Sequence, residues 1–162
     1  MTEWSETPDS FTFRYDQRVD ELATPCGVSS VLNEEETDGP ESRMRPFQAI
    51  WDTGATNSMI STAVVDYCGL ELSGFTQVNQ IQDSYRAATY IVDIELPNGL
   101  VVSDVRVAEG SMLGVEDVLI GMDIIGFGDF AITHPSGNTQ FTFRCPSAAD
   151  IDFAANPNVA MR

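Results

Sequence analysis

Ala49-Ile50-Trp51-Asp52-Thr53-Gly54-Ala55-Thr56 carries an apolar run into an aspartate followed by Thr-Gly. A carboxylate in that setting suits acid–base chemistry. If a second carboxylate lies against it, both cannot ionise easily and one proton is shared. The ionised member then acts as general base on a water between them, and the protonated member donates to a substrate carbonyl. Glycine at the third position lets the backbone approach the carboxylate and take a turn that a Cβ would hinder. The Thr53 hydroxyl can brace the loop by hydrogen bonding. The motif occurs once in 162 residues. An acid that works in a pair but appears singly implies that its partner comes from another chain. Taken alone, Asp-Thr-Gly also reads as a plain turn at a strand end, since it arises by chance roughly a few times in a hundred chains of this length.

Other chemistries lack their parts. His134 is the only histidine and sits in a Pro-Ser-Gly-Asn turn, so neither a cysteine nor a serine hydrolase constellation can be assembled. No Gly-x-Ser-x-Gly elbow and no phosphate-cradling glycine loop is present. The odd trio Cys26, Cys68 and Cys145 shows no metal-ligand spacing and reads as reduced packing residues. The acidic stretch 33–42 matches no calcium loop and reads as a solvated loop.

The elements that must position Asp52 are mostly strands. Alternation marks Phe11–Tyr15, and Gly27–Leu32 and Pro46–Trp51 are further candidates, the last running straight into Asp52. Ser61-Thr62 caps a short helix over residues 63–68, which Gly69 stops. Tyr90–Leu96 and Leu100–Val107 flank Pro97-Asn98-Gly99, a strong hairpin signal. Val118–Ile120 is a short apolar strand ending at Gly121, with a helical turn expected after it and Asp123 near its start. Phe130–Thr133 and Thr139–Arg144 make a last hairpin. Short strands, regular turns and one or two brief helices predict a mainly β, barrel-like domain. That domain is expected over residues 11–146, between a loose segment 1–10 and a polar tail 147–162.

Composition limits the partners. The chain has 25 acidic residues against 8 basic ones, all arginine, for a net charge of −17. Such a surface repels phosphates and anionic lipid, so neither nucleic acid nor membrane is expected as a partner. The opening residues are acidic and lack the apolar core of a signal peptide. No apolar run nears the ~18 residues that a membrane span needs. A cytoplasmic location is expected.

Asp52-Thr53-Gly54-Ala55-Thr56, followed about seventy residues later by Leu119-Ile120-Gly121-Met122-Asp123, resembles the retropepsin-like aspartic peptidases, the retroviral-type proteases and their bacterial relatives. The resemblance covers roughly Pro46 to Arg144. It implies a closed acid-protease barrel that becomes an enzyme only as a homodimer, acting on peptide or protein substrates without metal or cofactor. Asp52 of each subunit would form the catalytic dyad. Thr53 would brace the dyad across the dimer axis, Gly54 would contact the substrate backbone, and Ala55 and Gly121 would support the loop. A flap is expected over about Val78 to Tyr90, with no glycine between Gly74 and Gly99 to loosen its tip. Two other functions fit the same sequence. One is a catalytically silent domain of this fold serving dimerisation or peptide binding, and the other is an acidic interaction protein that uses residues 33–42 on a basic partner.

Overall fold

The alternating runs become strands, and their buried faces dictate how those strands assemble. A computed structural model describes residues 9–31, 44–79, 84–110 and 117–155. The acidic stretch 33–42 and residues 80–83, at the tip of the expected flap, lie outside the described residues. Among the described residues there are ten strands and two α-helices: β1 Asp9–Arg14, β2 Ala23–Ser30, β3 Arg45–Trp51, β4 Met59–Ile60, α1 Thr62–Cys68, β5 Gly74–Asn79, β6 Ser84–Glu95, β7 Val101–Glu109, β8 Val118–Ile120, α2 Met122–Ile125, β9 Asp129–Thr133 and β10 Gln140–Cys145. None of these helices is long and apolar enough to cross a membrane.

Six strands form a ring in the order β2-β3-β8-β4-β7-β6, closed by the pairing of β2 with β6; β5 extends the sheet beyond β6. Closure removes the exposed edges that an open sheet would present. Val28, Ile60, Val92, Ile94, Val107, Val118 and Ile120 are fully buried or nearly so in its core. Most pairings are antiparallel, but β3 runs parallel to β8, with Trp51 opposite Ile120. The mainly β closed barrel with two short helices matches the architecture expected above.

Local chemistry explains the boundaries. The Ser61 hydroxyl accepts a hydrogen bond from the Val64 amide at the start of α1, and Gly69 ends the helix in the left-handed region at φ 61°. Side chains at that φ are disfavoured, which is why glycine stops the helix there. β5 and β6 pair from Gly74↔Thr89 to Asn79↔Ser84, forming the hairpin anticipated as the flap.

A second, three-stranded sheet has the order β1-β10-β9. Its inner face is aromatic: Phe11, Phe130, Phe141 and Phe143 meet Trp51 of the barrel, and Phe13 packs on Phe11 and Phe141. Trp51 stacks on Phe130 with ring centroids 6.0 Å apart and lies 5.2 Å from Phe143. Its indole N–H donates to Thr24 Oγ1 at 3.0 Å, so the ring is buried without an orphan donor. Cys26 and Cys145 are buried free thiols and Cys68 is half-buried. Burial, reinforced by Asp117, pushes the Cys26 thiol up to about 12, as suits a packing residue.

The tail is tied to the small sheet by Asp129. Its carboxylate accepts from the Arg144 guanidinium at 2.6 Å, the Ser147 hydroxyl at 2.6 Å, and the Ala148 and Ala149 amides at 2.9 and 3.1 Å. Burial alone would raise this carboxyl. The Ala148 amide, the Ser147 hydroxyl and Arg144 outweigh it and hold it well below the usual carboxylate range. A depressed folded-state pKa gives stability that is present above the unfolded value of about 3.9 and lost as pH falls through the folded one. Because Arg144 is 36 % exposed, screening limits the ion pair, and Asp129→Asn is expected to cost about 1–2 kcal/mol in urea denaturation near neutral pH. That gap should shrink below about pH 3; a gap independent of pH would refute the assignment.

Candidate active site

Asp52 follows β3 directly, and its backbone is fixed before its side chain has any role. Trp51 N donates to Leu22 O at 2.9 Å and Asp52 N donates to Ile120 O at 3.0 Å, continuing the parallel pairing with β8. The chain then turns. Ala55 N returns to Asp52 O at 3.2 Å, and Gly54 N donates to Asp52 Oδ1 at 2.8 Å. A Cβ at Gly54 would lie 3.1 Å from that same oxygen. Glycine therefore permits the close amide–carboxylate approach that the sequence suggested.

The loop is clamped from behind by the start of α2. Met122 N donates to Ala55 O at 2.8 Å and Asp123 N to Thr56 O at 3.2 Å. At Gly121 the packing admits no side chain: a Cβ there would sit 2.7 Å from Asn57 C, 2.8 Å from Asn57 O and 3.1 Å from Ala55 O. Ser58 completes the clamp. Its amide and hydroxyl donate to the two Asp123 carboxylate oxygens at 2.9 and 2.7 Å, and its Oγ accepts from Gly121 N at 3.0 Å. Ser58 is fully buried, so these bonds replace water that cannot reach it.

The five residues singled out from the sequence are brought together. Asp52 and Ala55 are half-buried, Thr53 and Gly54 are exposed, and Gly121 is buried behind the loop. The Thr53 hydroxyl has no hydrogen-bond partner among the described residues. A cleft of about 380 Å³ opens beside the loop, walled by Gly54, Thr56, Asn57 and Met59 on one side and by Gln77 and Val78 of the hairpin and Arg106 of β7 on others. Sequence reasoning missed Ser58, whose role depends on a strand pairing, and Arg106, which read only as part of a strand. Asp123 carried one usable signal, an acid in a helix's first turn.

The chain matches, over residues 43–126, the family described as "gag-polyprotein putative aspartyl protease". Among curated proteins no sequence matches significantly. In solved structures, a retropepsin-like aspartic protease from Rickettsia conorii is similar at 14 % identity and a TM-score of 0.51, covering 92 % of this chain and 100 % of that one. EIAV protease complexed with the inhibitor HBY-793 is similar at 16 % identity and a TM-score of 0.51, covering 69 % and 90 %. These likenesses bear on the fold.

The clamp makes a prediction about order. Gly121→Ala is expected to cost about 1–3 kcal/mol by overpacking, and Ser58→Ala about as much by leaving Asp123 short of donors. Both should speed hydrogen exchange at the Met122 and Asp123 amides. Unchanged stability and exchange in Gly121→Ala would contradict the clamp. The match across more than half of the chain, together with the closed barrel and the Asp-Thr-Gly loop clamped against Gly121, places this protein in the retropepsin-like aspartic protease family.

Proposed function

We propose that the chain is an aspartic endopeptidase that works as a homodimer, each subunit contributing Asp52 to one catalytic dyad. The observation that carries this reading is the loop itself. It is rigid behind, open in front, bordered by a cleft, and supplied with one carboxylate where the chemistry needs two. Asp123 cannot serve as the second, because both of its oxygens are held by Ser58. The exposed Thr53 hydroxyl, without a partner in its own chain among the described residues, supports a brace made to the other subunit.

In this mechanism a water lies between the two Asp52 carboxyl groups. The ionised Asp52 removes a proton from the water as it attacks the scissile carbonyl carbon. The protonated Asp52 donates to the carbonyl oxygen, giving a tetrahedral diol with no covalent bond to the enzyme. A proton then passes to the amide nitrogen as the C–N bond breaks. Gly54, lacking a side chain, lets an extended peptide backbone approach the loop. The net charge of −17 on each subunit opposes association, and added salt or mild acid should favour the dimer.

Asp52→Asn should abolish peptide cleavage, by at least about 10³-fold, while leaving the mass in size-exclusion chromatography unchanged. A wild-type protein that stays monomeric at micromolar concentration and cuts no peptide from about pH 3 to about pH 7, the range in which a shared-proton dyad can act, would sink the proposal. Capture of one peptide by both wild type and Asp52→Asn, without cleavage, would assign the groove to binding alone.

A further inference from the structure

A chain with a net charge of −17 should favour basic peptides by long-range attraction. The wall of the cleft departs from that surface. Of the twelve described residues that line it, only Arg106 is charged. Arg106 stands exposed on β7 between the buried Val105 and Val107, so strand alternation turns it away from the core. It has no hydrogen-bond or ion-pair partner among the described residues. Two other arginines are engaged: Arg86 lies over the Phe75 ring at 3.9 Å, and Arg144 is held by Asp129. Asp104 and Asp123 share an adjoining cavity with Arg106. Asp123 is occupied by Ser58.

We propose that Arg106 makes the cleft select peptides that carry an aspartate or glutamate side chain at one fixed position. The position is counted from the scissile bond, and in that respect the inference rests on the peptidase reading above. A guanidinium offers a planar fork of donors that matches a carboxylate with two parallel hydrogen bonds. Neutral wall residues such as Gln77, Asn57 and Thr56 can hydrogen-bond a peptide but cannot choose the sign of its charge. Repulsion from the acidic surface does not cancel the preference at physiological salt, because exposed charges beyond about 8 Å are largely screened while a contact pair is not.

The test uses a proteome-derived peptide library digested near pH 6, where carboxylates are ionised, with cut sites read by mass spectrometry. Wild type should enrich Asp and Glu at one subsite by about tenfold, as one charge-assisted contact allows. Arg106→Gln should lose that enrichment, and Arg106→Glu should turn it toward Lys and Arg. Identical profiles for wild type and Arg106→Gln would overturn the inference while leaving the peptidase reading intact. If wild type cuts nothing, that reading is what fails. The same library is then passed over immobilised Asp52→Asn, with and without Arg106→Gln. Retention of acidic peptides that depends on Arg106 supports the selection, and equal retention overturns it.

Discussion

Between the end of β8 and the loop carrying Asp52 there is no space for a side chain, and most of the site's geometry follows from that contact. The loop can press this closely on Gly121 only if β3 and β8 run side by side in the same direction, delivering Asp52 and Gly121 to one end of the barrel. Once they are adjacent, the first amides of α2 lack intrahelical acceptors, and the Ala55 and Thr56 carbonyls supply them. Ser58 and Asp123 then satisfy one another, with the Ser58 side chain fully buried. Each bond is worth little by itself, on the order of 1 kcal/mol net. Their value lies in being mutually dependent, so the loop has one arrangement rather than several.

Trp51 couples this site to the rest of the molecule. It precedes Asp52 immediately and is buried among the aromatic residues of the second sheet. Burial of each such ring contributes roughly 1.5–3 kcal/mol, and each ring pair about 0.5–1.5 more. The Asp129–Arg144 pair joins β9 to β10 within the small sheet, so that sheet is fastened to the barrel chiefly by aromatic packing. A residue that fills the space between two sheets also fixes the backbone direction of its neighbour. Bulk at position 51, immediately before Asp52, is explained by the sheet that lies against it.

The legible parts of the sequence were those with local causes. The Gly69 stop of α1 was read to the residue and its start to within one, the helix beginning at Thr62 rather than at 63, because capping depends on neighbours in sequence. The turn at Pro97–Gly99 and the strand entering Asp52 were equally plain. β2 begins at Ala23, four residues before the expected Gly27, because Pro25 obscured it; an exposed proline is nevertheless tolerated opposite Gln48 of β3. β4 has two residues and no period to detect; it exists because β7 and β8 flank it. Ser58 was invisible for the same reason, being 65 residues from its carboxylate partner. Thus the Asp-Thr-Gly loop and the glycine packed against it are plain in the sequence, whereas the side chains that hold the loop or line the cleft depend on which strands meet.

The division between buried support and exposed front bears on the proposal that each chain supplies one carboxylate. Here the atoms that fix the loop, at Gly121, Ser58 and Asp123, are behind it, while Thr53 and Gly54 remain exposed in front. Rigidity without enclosure costs the monomer little, since an exposed hydroxyl and an exposed glycine are solvated. It becomes useful only when another surface covers them. In the two-subunit reading that surface is a second copy of the same loop, brought face to face by a two-fold axis, and the clamp ensures that both carboxyl groups arrive with the same geometry. Symmetry then supplies what the sequence states only once, and the loop's precision is set within each chain before the two meet.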